Sequence, residues 1–313
     1  VAEGSCDDTD STTEDTTVVD TSTGSGDTDT NGTDTGESGR LRFPLRGVFY
    51  AAWFPEIWAA QEPHYHPTLG YYSSDDTDVI DKHIEAMDYA KIEVAIVPWK
   101  GMEDRVQATR IPLLLNETTA MGSPLKWALR LDKEGLASAT IAQFKSELTY
   151  LMSTYADHGA YARIRGKPVL FVRSSADFSC NVVSRLSQAS GDNWYVSLQV
   201  FKDSDTCSVQ PDAWHAWSPK IPAAQKAGDY YVISPGSWRF HVDTPYLSRD
   251  IDRWYQNVAD MVASDELWQL IHSFNDWTWD GSAVESGTQW ESLSGYGQYL
   301  DALHKIGGNY TIP

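Results

Sequence analysis

The sequence predicts an α/β protein: a single (β/α)8 TIM barrel preceded by a disordered acidic tail rich in Ser, Thr, Asp and Gly. Three observations predict it. From Arg46 onward, short runs of β-branched and aromatic residues alternate with longer amphipathic stretches, as in repeated βα units on a parallel sheet. There are eight such runs, and eight strands in alternation favour a closed barrel over an open sheet. The first forty residues instead hold eleven Asp or Glu, eleven Thr, one basic residue and no aromatic ring. Such a segment cannot bury enough apolar surface to offset its ordering entropy. The expected boundaries are therefore a linker over residues 1–40 and a barrel domain over 41–313.

The runs that predict strands are Gly47–Trp53, Glu93–Trp99, Leu125–Leu131, Lys167–Arg173, Trp194–Val200, Ala213–Trp217, Tyr230–Ser234 and Leu267–Phe274. Helices are predicted over Thr77–Ala90, where Ile80, Ile84 and Met87 recur at helical spacing, and over Thr140–Tyr155, where Ile141, Phe144, Leu148 and Leu151 do the same. Two more are predicted over Leu247–Ala263 and Ser292–His304.

Net charge is −20, and the tail holds half of it, so the barrel is only moderately acidic. No basic groove or stripe of the kind a nucleic acid needs is present; a neutral polymer such as a glycan is compatible. No apolar run approaches the eighteen or so residues that would span a membrane. Of three cysteines, Cys180 and Cys207 fall in the barrel and Cys6 in the tail. This pattern fits an exported or cell-surface protein with a Cys180–Cys207 disulfide and a lipid anchor through Cys6; the alternative is three free thiols.

In a closed barrel the site lies where the strands end, in the βα loops. The segment after the last strand, Phe274–Ser286, holds Asp276, Asp280 and Glu285 with two tryptophans, Trp277 among them. Glycoside hydrolysis uses one carboxyl group to protonate the departing oxygen and a second as base or nucleophile, while aromatic faces pack on sugar rings. An acidic surface loop is the bland alternative. Other strand ends offer Trp53, His64, His66 and Tyr71 after the first, Trp99 and Lys100 after the second, and Asp132 and Glu134 after the third. His215 lies on the sixth strand, and Trp238 follows the seventh. An aromatic-lined cleft with a few carboxylates suits an oligosaccharide. The His64/His66 pair lacks a third ligand at an informative spacing, so no metal is expected. No G-x-S-x-G elbow or phosphate-binding glycine motif is present, and no cofactor is implied.

The stretches GVFYAAWFPEIW, HYHPTLGYYSSDDTDVIDKHIEAM, KWALRLDKEG, RIRGKPVLFV and FNDWTWDGSAVES together resemble glycoside hydrolase family 99, the endo-α-mannosidase family, and most closely its uncharacterised bacterial relatives. The resemblance runs from about Arg46 to His304. It implies a (β/α)8 barrel that hydrolyses α-glycosidic bonds with retention. In the family a glutamate after strand eight acts as base toward the sugar 2-hydroxyl, and a second glutamate is general acid and then base. Matched by motif, these roles fall on Asp276 and Asp280. Both glutamates are aspartates here, one extra residue lies between them, and a further family glutamate corresponds to Asp132.

The expectation is therefore a retaining glycoside hydrolase acting on an α-mannan-like or α-glucan-like chain. Asp280 would be protonated near neutral pH, Asp276 ionised, and Trp53, Trp99, Trp238 and Trp277 would supply stacking surfaces. The alternative is a non-catalytic carbohydrate-binding barrel displayed at the cell surface. A monomer is expected in either case.

Overall fold

The structure, a computed structural model, describes residues 41–306. The expected acidic tail and Cys6 lie outside the described residues. Each of the eight apolar runs forms a strand: β1 (Leu45–Phe49), β2 (Val94–Trp99), β3 (Lys126–Leu131), β4 (Lys167–Val172), β5 (Tyr195–Gln199), β6 (Ala213–His215), β7 (Tyr230–Ile233) and β8 (Trp268–Ile271). Neighbours pair in parallel from β6 through β5, β4, β3, β2, β1 and β8 to β7. The result is a TIM barrel. Strands of such a barrel are covered on both faces, so they read as continuous apolar runs and not as alternation. All six residues of β2 are buried, for example.

The ring is joined by ladder hydrogen bonds except between β6 and β7, where none is present among the described residues. Asp229 spans that seam, its Oδ1 accepting from the Trp214 backbone N–H at 3.0 Å.

Helices pack outside: α1 (Thr77–Tyr89), α2 (Arg105–Ala120), α3 (Ile141–Leu151), α4 (Cys180–Ser190), α5 (Ile251–Ala263) and α6 (Gln298–Lys305). Their starts are set by side chains that take up otherwise unpaired first-turn N–H groups. Asp76, Asp104 and Asp250 cap α1, α2 and α5, and Thr140 with Gln143 forms a capping box on α3. After β5 the chain makes only a short 3-10 turn, Ser204–Thr206, and after β6 it returns as an antiparallel strand, Ala223–Lys226, on β7. The expected Cys180–Cys207 disulfide is present and ties the start of α4 to the segment after β5.

Strands β1 and β8 end three or four residues before their apolar runs do, for a reason that matters to the site. Beyond β1 and β8 the chains turn toward each other. Phe274 N–H donates to the Phe49 carbonyl at 2.7 Å. The Asn275 amide accepts from Ala51 N–H at 2.6 Å and donates to the Ala51 carbonyl at 2.9 Å. Backbone groups that would have extended a ladder are thus satisfied by a clamp between two loops.

Candidate active site

The turn after β8 is held on every side. Asn275 fixes it to the end of β1. Asp276 N–H donates to Ser273 Oγ at 2.9 Å, and Asp276 Oδ1 accepts from the backbone N–H of Thr278 and Asp280, each at 3.3 Å. Gly281, at φ +55°, lies so close to the β7 loop that an added Cβ would sit 2.0 Å from the Trp238 carbonyl oxygen. Only glycine fits that approach. Ser237 Oγ then donates to the Asp280 carbonyl at 2.8 Å.

This geometry brings the two carboxyl groups to the C-terminal mouth of the barrel, where the charge of Asp280 acts on Asp276. Asp276 is 3% exposed and Asp280 4%. Burial first, and then the charge of Asp280, lift the Asp276 carboxyl to about 7 against the lowering effect of the backbone N–H groups. Asp276 was expected to stay ionised, but in this enclosed turn it is poised between its two forms at neutral pH. Asp280 has both oxygens engaged. Oδ2 accepts from Trp217 Nε1 at 3.0 Å, and Oδ1 accepts from Arg239 Nε and Nη2 at 3.2 and 3.1 Å.

Trp217 fills the mouth above the barrel interior. The Arg130 guanidinium lies 3.7 Å from its ring centroid, His272 meets it edge-on at 3.9 Å, and Phe49 packs at 4.7 Å. Arg130 Nη2 donates to Asp132 Oδ2 at 2.6 Å, and Arg173 Nη1 to Asp132 Oδ1 at 2.9 Å. Burial alone would raise the Asp132 carboxyl, but the two arginines outweigh it and hold it below its usual value. Burial pushes His272 down to about 4, and His215, buried beside Arg130, well below its ordinary value; both imidazoles are neutral at pH 7. Beside this mouth, a cleft of about 510 Å³ opens between the loops after β3 and β4, lined by Lys133, Glu134, Arg173 and Asp177 among others. A smaller cavity of about 220 Å³ lies by the beginning of β4, away from the carboxylates.

The other sequence-predicted residues divide into exposed and enclosed groups. Lys100, Glu134 and Tyr71 are exposed at the C-terminal face. Tyr71 stacks on Trp58 at 4.7 Å and donates to Glu62 at 2.6 Å. Trp53 and Trp238 are half-buried, and His64 stacks on Trp238 at 4.0 Å while its Nε2 meets the Arg239 carbonyl at 3.0 Å. His66 instead contacts the Tyr71 hydroxyl at 3.1 Å, so the two histidines serve different partners. Among the described residues no group of three His, Cys, Asp or Glu side chains is placed to hold a metal ion.

Trp99, Trp277, His215 and Glu285 are enclosed. Trp99 packs against Tyr150, and Trp277 stacks on Trp290. Glu285 accepts from the Tyr72 hydroxyl and Trp277 Nε1, each at 2.8 Å, and meets His83 Nε2 at 3.0 Å. These four therefore support the site from inside in this conformation, and none of them reaches solvent. Sequence reasoning did not single out Arg239 or Arg130, and it placed Trp217 at the end of the sixth strand without connecting it to Asp280. Trp217 and Arg239 reach Asp280 across 63 and 41 residues of chain, a relation that no local spacing reveals.

Residues 59–200 match the family model described as Glycosyl hydrolase family 99. The matched segment ends before the turn that carries Asp276 and Asp280. The fold is similar to that of the GH99 endo-α-mannosidase of Bacteroides thetaiotaomicron. In complex with bis-tris-propane that enzyme aligns at 19% identity over 84% of this chain and 94% of its own, with a TM-score of 0.67. A second structure of it aligns at 18% over 83% and 95%, with a TM-score of 0.64. A protein described as glycoside hydrolase-like aligns at 15% over 85% and 94%, also at 0.64. At such identities the likeness speaks for the fold. Among curated proteins nothing matches.

Proposed function

The family match supports assigning the chain to glycoside hydrolase family 99, and from that premise we propose that it is a glycoside hydrolase acting on α-linked, mannan-like glycans with retention. The observation that carries the reading is the pair of carboxyl groups on one braced turn at the barrel mouth, with Asp276 lifted to about 7. A group whose proton affinity lies near the working pH transfers protons most effectively.

In the proposed reaction Asp276 takes the proton of the sugar 2-hydroxyl as the freed oxygen bonds to the anomeric carbon. The glycosidic bond breaks in the same step, and Asp280, having taken up a proton from solvent once Arg239 has left it, gives that proton to the departing oxygen. Water then opens the strained intermediate, with the two carboxyl groups returning to their starting forms. For this to occur the Arg239 and Trp217 side chains must swing off the Asp280 oxygens when the ligand enters. The disulfide supports reading the protein as exported, because such bonds persist in oxidising compartments.

The second reading, a barrel that binds glycans without cleaving them, is favoured by one observation: both Asp280 oxygens are already bonded. A panel of α-mannans and α-glucans scored for new reducing ends separates the two. Turnover by the native chain that vanishes in both Asp276→Asn and Asp280→Asn is expected. Glycan binding without turnover would leave the second reading.

A further inference from the structure

Trp279 stands apart from everything around it. From Trp268 to Glu285 it is the only exposed residue, at 47%. Its backbone is nonetheless fixed on both sides. Before it, the Thr278 carbonyl accepts from Phe240 N–H at 3.0 Å. After it, the Asp280 carbonyl accepts from Ser237 Oγ at 2.8 Å, and Gly281 packs against Trp238. The Phe240 ring braces the indole from one side, at 5.8 Å and 89°. An indole projecting from a rigid turn is presented to solvent and not merely left there.

The surroundings indicate what it meets. Trp279 lies in the five-residue turn that begins with Asp276 and ends with Asp280. Leu69, Tyr71, Met102, Ile221 and Tyr246 are also exposed, in segments that follow four different strands, β1, β2, β6 and β7, and Tyr246 is flanked by the Lys220 and Arg239 cations. Isolated apolar side chains among polar ones do not make the contiguous patch that a protein partner needs. The adjoining segment carries Arg239, His241 and Asp243. A flat aromatic face bordered by hydrogen-bonding groups suits a pyranose ring, which has an apolar C–H face and a rim of hydroxyls.

We propose that Trp279, backed by Phe240, is the stacking platform of an outer glycan subsite, receiving a ring of the chain beyond the one that lies over Asp276 and Asp280. Placing the scissile bond there rests on the glycosidase reading; the stacking contact does not.

Affinity electrophoresis of the full chain in gels containing soluble α-mannan or α-glucan tests it, with hydrolysis measured in parallel on the polymer and on a small aryl α-mannoside. Trp279→Ala is expected to weaken polymer retardation about tenfold and to lower the polymer-to-aryl ratio of kcat/KM by a similar factor. Trp279→Phe should restore most of both. Retardation equal in Trp279→Ala and the native chain, or absent from the native chain on both polymers, overturns the proposal. So does a loss as large on the aryl mannoside as on the polymer, or a native dimer in sedimentation velocity that Trp279→Ala dissociates. Retardation that depends on Trp279 in a chain releasing no reducing ends would uphold the platform and remove the hydrolase reading.

Discussion

Asparagine at position 276 isolates the charge of the buried carboxyl from its shape. Its amide oxygen can still accept from the Thr278 and Asp280 N–H groups, and it carries no charge at any pH. Lifting Asp276 from 3.8 to about 7, at about 1.4 kcal/mol per pKa unit, disfavours its buried anion by on the order of 4 kcal/mol. That figure is an upper bound, since part of it is repulsion shared with Asp280. The sign follows from linkage. Below about pH 4 the group holds its proton folded and unfolded alike, and no difference arises. As the pH rises toward 7 the unfolded chain ionises freely while the folded chain resists, so this group removes stability across that window and the full loss persists above it. Asp276→Asn should therefore match the native chain near pH 4 and exceed it by about 2–4 kcal/mol at pH 8. Urea unfolding from pH 4 to 8, with fixed m-values, measures this directly. An advantage independent of pH, or a less stable variant at pH 8, would refute the buried-anion argument. The same variant should lose about a hundredfold or more in kcat/KM, as expected when a proton-transferring group is removed.

Three further outcomes follow from the packing. Glu285→Ala strands the Tyr72 hydroxyl, His83 and the Trp277 indole N–H inside the protein, and should destabilise by about 3 kcal/mol or more in thermal melts. Gly281→Ala drives a methyl group into the Trp238 carbonyl; near-ultraviolet circular dichroism should change, and glycan turnover should fall at least tenfold. Unchanged spectra and turnover would show that the β7 loop is not held there. Replacing Cys180 and Cys207 by serine opens a loop of 27 residues and should lower unfolding free energy by about 2–4 kcal/mol, read from denaturant midpoints.

The barrel was legible because each strand is buried on two faces, so Val94–Trp99 or Lys167–Val172 stands out as an apolar run whatever its neighbours do. Helices α2 and α4 were not singled out. In α2, Pro112 and the polar Asn116–Thr119 stretch break the apolar periodicity, and Arg110 and Gln107 are buried at positions where apolar residues would be sought. The acidic turn was found by its composition and its place after the last strand. Composition did not tell its carboxylates apart, although Glu285 is an internal anchor while Asp276 and Asp280 face the mouth. That distinction depends on which donors the fold delivers from Tyr72, Trp217 and Arg239, all more than forty residues away in sequence.

The missing ladder between β6 and β7 acquires meaning from what stands on its two lips. Trp217 rises from one side and Arg239 from the other, and they converge on the same carboxylate. A cylinder stitched all the way round would hold those side chains at a fixed separation. Among the described residues, separate links such as Asp229 to Trp214 and Ser234 to the Pro219 carbonyl take the place of a ladder at this join, so a slight parting of the staves there would carry both covers away from Asp280 together.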